Sequence, residues 1–232
     1  MSTRNNTTLT QVVDMHSRLA DSLRGRKKWN AMSEGELWEE LSLCILSSNV
    51  PYELAKSAFL HLRDTLLLRP RWITQTSDSA EKIAYELSKQ IYLPKKKNGR
   101  HRKYRFPNIR AQNITSAAKT LYLKNAGLLK ILKNANSEQE ARDFLVKNVA
   151  GVGLKEASHF LRNIGYSKSL AIIDSHVVTF LEEVEALPQV KIKTITPKIY
   201  MKLERILQDL CDSLDLNLST FDMAIWHYMR GK

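Results

Sequence analysis

"NVAGVGLKEASHFLRNIGYSKSLAIID", Asn148–Asp174, decides how this chain is read. Gly151 and Gly153 flank Val152 between two segments of helical spacing. In the segment before, "SEQEARDFLVKNVAG", Glu140 follows Ser137 by three residues, a capping-box pattern, and Ala141, Phe144 and Leu145 share one face. In the segment after, Leu154, Ala157, Phe160, Leu161 and Ile164 share a face, and Gly165 supplies the stop. Two helices joined through so short a turn form a helix-hairpin-helix. The glycines permit the turn and let a phosphate approach the backbone. The second helix then opens with unpaired N–H groups and the positive end of its dipole. Val152 is placed to plug the apolar seam between the helices. Gly151, Val152 and Gly153 are thus candidate phosphate contacts, and such a grip reads no base sequence.

Outward from the hairpin, helical signals dominate. "SEGELWEELSLCILSS" pairs Ser33 with Glu36 as a capping box and sets Leu37, Leu41 and Ile45 on one face. "DSHVVTFLEEVEALP" starts at Asp174 as cap and is expected to stop before Pro188. "TPKIYMKLERILQDLC" offers Thr196 as cap and Pro197 at the first helical position, and "STFDMAIWHYM" closes the chain. The only strand-like run is "LAII" before Asp174. The fold class expected is all-α.

The charge has an address. The net charge is +12, yet from Leu87 to Ser137 there are thirteen Lys and Arg and no Asp or Glu, and the remainder carries 23 basic and 24 acidic residues. Self-repulsion of this kind costs stability unless a polyanion is bound, so nucleic acid is the leading partner. The long irregular stretch "LPKKKNGRHRKYRFPNIR" interleaves Tyr104 and Phe106 with the cations, a pattern suited to phosphates and stacked bases; a solvated surface loop is the plain alternative. No run approaches the ~20 apolar residues of a membrane span, and "MSTRNNTTLT" lacks the apolar core of a signal peptide. The expectation is an intracellular chain, cytoplasmic or nucleoid-associated. Cys44 and Cys211 alone provide neither a disulfide framework nor a four-cysteine cluster.

A lysine two residues after the hairpin's second glycine, Lys155, with Asp174 nineteen residues further on, resembles the helix-hairpin-helix DNA glycosylase superfamily. "GVGLKEASHFLRNIGYSKSLAIIDSHV" is similar to the archaeal-type 8-oxoguanine DNA glycosylase/lyases. "LCILSSNV" resembles that family's helix-end Asn segment, "HRKYRFPNIRAQNI" its Arg- and Phe-bearing loop, and "STFDMAIWHYMRGK" its carboxy-terminal helix. The likeness runs over roughly residues 30–232. It implies two helical domains with a DNA cleft between them: residues 33–165 as a central bundle ending in the hairpin at about 149–153, and residues 1–32 with 166–232 as the second. It also implies a bifunctional enzyme that removes an oxidised guanine and then nicks the strand.

Each residue then has a chemical role and a plainer one. A base inside a duplex must be flipped out at a cost of a few kcal/mol. Lys155 would attack C1′, displace the base and form a Schiff base that permits β-elimination. A free lysine with a pKa of about 10.4 is protonated and inert, so the site must lower it. Without the resemblance, Lys155 reads slightly better as a phosphate contact at the hairpin. Asp174 would stabilise the developing oxocarbenium charge or share in proton transfer, and is also a plain helix cap. His176 is a phosphate ligand or a buried polar residue.

Asp222 and Trp226, four apart, share a helical face, where the carboxylate could accept N–H groups of the lesion and the indole could pack on its ring; a local cap of Ser219 with Asp222 and a core tryptophan are the alternatives. The resemblance implies Phe106 as the opposite stacking face, Asn49 as filler of the hole left by the flipped base (a helix-terminating Asn is its plainer reading), and Lys232 near the base pocket, with Arg105 and Arg110 on the DNA. No cofactor or catalytic metal is expected, with a structural monovalent cation compatible with the hairpin, and the chain is expected to be a monomer on damaged duplex DNA. The rivals are a non-enzymatic DNA-binding module, which leaves Lys155 with Asp174 unexplained, and a same-fold glycosylase for thymine glycol or alkylated bases. The former enzymes carry a four-cysteine cluster that is absent here; monofunctional members of the latter lack the hairpin lysine.

Overall fold

The computed structural model describes residues 3–23, 25, 27–187 and 192–231. Its α-helices, in chain order, are α1 (Thr3–Leu23), α2 (Glu34–Ser47), α3 (Tyr52–Asp64), α4 (Pro70–Gln75), α5 (Ser79–Ser88), α6 (Pro107–Lys119), α7 (Leu128–Asn134), α8 (Glu138–Asn148), α9 (Leu154–Asn163), α10 (Ser175–Glu183), α11 (Pro197–Ser213) and α12 (Leu218–Arg230). Among the described residues there is no strand, only an isolated antiparallel bridge between Tyr92 and Arg102. The fold is all-α. The chain divides into two compact units, Trp29–Phe160 and Met1–Lys28 with Leu161–Lys232, and the division falls within α9.

In the unit Trp29–Phe160, α2 is the spine. Its capping box is complete: the Ser33 hydroxyl accepts from Glu36 N at 3.3 Å, and the Glu36 carboxylate accepts from Ser33 N at 2.7 Å. Leu37, Trp38, Leu41 and Ile45 are buried, at ~1.5–3 kcal/mol for each large apolar side chain removed from water. The Trp38 indole N–H donates to the Leu68 carbonyl at 2.6 Å, and its ring meets Tyr122 edge-on at 5.6 Å. Glu34 reaches across to accept Leu128 N and Leu129 N at 2.6 and 2.9 Å, so one helix caps the start of another. At α8 the box is displaced. Ser137 accepts from Glu140 N, but the Glu140 carboxylate accepts from Asn136 N, one residue earlier than the pattern predicts.

In the other unit, α1, α10 and α11 each pack on α12. Phe180 and Phe221 meet edge-on at 5.8 Å in its core. The Tyr228 hydroxyl ties α12 to α1 through Gln11 at 2.7 Å. α11 begins as predicted, with Thr196 capping Ile199 N and Pro197 at the first position. α10 ends at Glu183, well before Pro188, which lies outside the described residues. α12 is capped by Asn217, whose side chain accepts from Thr220 N, and not by a Ser219–Asp222 pair. The Ser219 hydroxyl instead donates towards the Ser167 and Leu170 carbonyls.

Candidate active site

The hairpin is built as its glycines require. α8 ends at Asn148, and Val152 N returns to the Val149 carbonyl at 3.2 Å. Val152 is 5% exposed, plugged into the seam. The Arg142 guanidinium, buried on α8, donates to Ser158 Oγ on α9 at 3.3 Å and joins the two helices. Gly151 has φ +77, and a Cβ there would stand 2.7 Å from Asn113 Cγ. Both the dihedral and the space exclude a side chain. Gly151→Ala is therefore expected to lower stability by about 1–3 kcal/mol, read as a fall in thermal midpoint, and adding Asn113→Ala does not restore it, because the Asn113 Cβ still stands 2.9 Å from the new methyl.

One detail differs from the sequence reading. Gly153 N–H is not left open for a phosphate, because the Glu156 carboxylate accepts it at 3.2 Å. Glu156 is one turn into α9, so the helix caps itself. Lys155, the second residue of α9, is half-buried.

The basic stretch is more ordered than an irregular loop. Tyr92 and Arg102 exchange backbone hydrogen bonds at 3.1 and 2.9 Å, and Lys96 N donates to the Arg100 carbonyl at 2.8 Å, which makes a short ribbon. Lys96, Arg102, Lys103 and Arg105 line a concavity of about 560 Å³ floored by Leu54 and Tyr104. Tyr104 is no free stacking face: it is 4% exposed, its hydroxyl donates to the Leu46 carbonyl at 2.6 Å, and burial pushes its phenol above the usual range. Arg110 is likewise buried, and its guanidinium donates to the Ser48 carbonyl, so it braces the turn at Asn49 in place of reaching solvent.

Asn49 is exposed with φ 56, the left-handed end of α2, which an Asn tolerates well. Phe106 is 41% exposed with φ 69, a strained conformation for a large side chain. The Arg105 guanidinium lies 4.9 Å over its ring and that of Arg110 lies at 5.9 Å.

In the other unit, Asp174 caps α10. One carboxylate oxygen accepts from His176 N at 2.8 Å and from Val177 N at 3.1 Å. Asp174 and His176 are both half-buried. The run before Asp174 is buried and non-helical, with no partner strand. Three side chains take that place: Ala171 N donates to Glu204 at 3.0 Å, Ile172 N to Asp222 at 2.8 Å and Ile173 N to the Tyr200 hydroxyl at 3.3 Å.

Asp222 is therefore not presented to a base. It is 2% exposed, with one oxygen on Ile172 N and the other on the Arg162 guanidinium. Burial pushes its carboxyl up to about 6, against the pull of Arg162 and the Ile172 amide and with the help of the Asp174 charge. A carboxyl raised from 3.8 stabilises the fold most below about pH 4, and that contribution is lost as pH rises through about 6. Trp226 is half-buried on the same helix, with the Arg230 guanidinium 4.8 Å over its ring and the His227 ring 5.0 Å away. Lys232 lies outside the described residues.

Asn113, Glu156, Arg162, Tyr200 and Glu204 escaped the sequence reading. Only Glu156 carried a local signal, an acid three residues past the glycine whose N–H it caps. The other four act on partners far along the chain, as Arg162 does on Asp222 and Tyr200 on Ile173.

Among the described residues, no group of three or more His, Cys, Asp or Glu is placed to hold a metal ion, and no helix is long and apolar enough to cross a membrane. Residues 20–216 match the family model described as 8-oxoguanine DNA glycosylase. The chain is 34% identical over 206 residues to the 8-oxoguanine DNA glycosylase/AP lyase of Methanocaldococcus jannaschii, covering 89% of this chain and 86% of that protein. It is 32% identical to the enzyme of the same name from Saccharolobus solfataricus, over 85% of this chain and 84% of that one. A crystal structure of the M. jannaschii 8-oxoguanine glycosylase/lyase with a 15-mer DNA containing 8-oxoguanine superposes with a TM-score of 0.67 at 27% identity, covering all of this chain and 93% of the other. The hairpin, the all-helical fold and these matches together place the chain in the 8-oxoguanine DNA glycosylase family.

Proposed function

We infer that the protein excises 8-oxoguanine from DNA and then cleaves the strand at the resulting site. The observation that carries this is Lys155 in the first turn after the glycine hairpin, in a chain whose relatives are named glycosylase/AP lyases.

Lys155 Nζ attacks C1′ of the flipped nucleotide, and the C1′–N9 bond breaks with its electron pair leaving on the base. The amine loses a proton and the C1′–O4′ bond breaks as the Schiff base forms, the opened sugar oxygen taking up a proton. Loss of a C2′ proton then expels the 3′ phosphate by β-elimination. Asp174 opposes the positive charge that develops at C1′. Phe106 and Trp226 are the stacking faces for the base, Asn49 fills the vacated stack, and Arg105, His176 and the Gly151–Gly153 turn bear on the DNA backbone. Arg110 acts from behind, by fixing the Asn49 turn. Lys232 remains a candidate at the base pocket. The lysine and carboxylate need no cofactor, and a structural monovalent cation at the hairpin belongs to the same reading. The protein works as a monomer on duplex DNA inside the cell.

The test is a duplex with one 8-oxoguanine. Free 8-oxoguanine and a nicked strand, with no action on the undamaged duplex, are the expected products. Tight binding with neither product would favour the non-enzymatic module, and release of other lesions in preference would reassign the substrate.

A further inference from the structure

We propose that Tyr200, Glu204 and Asp222 are positioning residues for Asp174, acting through the backbone that leads into it. This rests on the reading of Asp174 as the carboxylate that faces the developing charge at C1′.

The run Leu170–Ile173 is non-helical and apolar, and it is buried without a neighbouring strand. Its polar backbone groups still need partners. The Tyr200 hydroxyl donates to the Ala171 carbonyl at 2.7 Å and accepts from Ile173 N at 3.3 Å, so it spans two residues. Glu204, one turn along α11, takes Ala171 N, and Asp222 from α12 takes Ile172 N. Four backbone groups just before Asp174 are thus fixed by side chains from two helices. The two bonds from His176 N and Val177 N to the Asp174 carboxylate fix the other side. The carboxylate is held between two anchors, and a misplacement of about 1 Å at a reacting group can cost on the order of 10²-fold in rate.

An ordered water or a neutral side-chain acceptor would have satisfied these backbone groups. Two buried carboxylates are an expensive way to hold a short segment, since each must leave water. Asp222 is the informative one. The groups that act on it are Arg162 from α9, Asp174 from the run it anchors, and Cys211 from α11, whose thiol is pushed up by burial first and then by the Asp212 and Asp222 charges. Protonation on acidification removes the charged partner of Arg162 and weakens the hold on Ile172 N. Acid therefore favours the folded state at this group while it loosens Asp174. Stability and rate then move in opposite directions, which a purely structural role does not produce.

The experiment is single-turnover release of 8-oxoguanine from a duplex, enzyme in excess, from pH 5 to 8, for wild type, Tyr200→Phe and Asp222→Asn. Each protein is assayed well below its own thermal midpoint, with duplex affinity measured in parallel. Tyr200→Phe is expected to lose about ten-fold or more in rate at every pH, with affinity within about two-fold of wild type. Wild type is expected to show an acid limb near pH 6, which Asp222→Asn removes at a uniformly lowered rate. Folded variants with wild-type rates and an unchanged acid limb would overturn the proposal. Wild type that binds the duplex but releases no base would overturn the excision reading, and this proposal with it. The wild-type arm tells the two failures apart.

Discussion

Lys155→Gln leaves no protein–DNA adduct trapped by borohydride, and base release falls by on the order of 10³-fold or more. Glutamine keeps nearly the length and helix propensity of lysine, so α9 persists and the thermal midpoint stays within a degree or two of wild type. The hairpin turn rests on Gly151, Val152 and the Arg142–Ser158 bond, none of which involves Lys155, so duplex affinity changes by at most a few-fold. What disappears is the amine that forms the imine. Loss of the adduct at intact affinity identifies the nucleophile. An adduct that survives would move that role to another amine, and base release with no adduct even in wild type would leave water as the nucleophile and Lys155 as a phosphate contact.

Asp174→Asn separates the two roles of that residue. Asparagine caps a helix about as well as aspartate, so α10 and its bonds to His176 N and Val177 N are retained. The variant loses only the charge, and excision is expected to fall roughly 10²–10³-fold with little change in thermal midpoint. Asp174→Ala loses the cap as well, at about 1 kcal/mol, or a fall of about 2–4 °C. The pair is measured by single-turnover release and thermal unfolding side by side. Equal activity in Asp174→Asn and wild type would leave Asp174 as a cap alone.

What the sequence made legible was local. The Ser33–Glu36 box, the Thr196–Pro197 start and the hairpin glycines each declare themselves within a few residues, because caps and turns are satisfied within a few residues. The readings that needed revision turn on distant partners. Tyr104 among cations reads as a stacking face until the Leu46 carbonyl claims its hydroxyl, and Asp222 reads as a base contact until Arg162 and Ile172 claim its carboxylate. The 21-residue α1 went unread for a related reason. Its polar sequence offers few apolar positions, and burial of Val12 and His16 together with its packing on α12 supports the helix.

The gathering of uncompensated positive charge in one segment has a kinetic consequence. The basic window Leu87–Ser137 lies wholly within Trp29–Phe160, and the rest of the chain is close to neutral. The field of a duplex therefore pulls hardest on that segment and turns it towards the DNA. At physiological salt that field fades over about 8 Å, so the turning happens in the last nanometre of approach. Encounters then begin with the basic ribbon towards the helix, and fewer collisions are lost to wrong orientation.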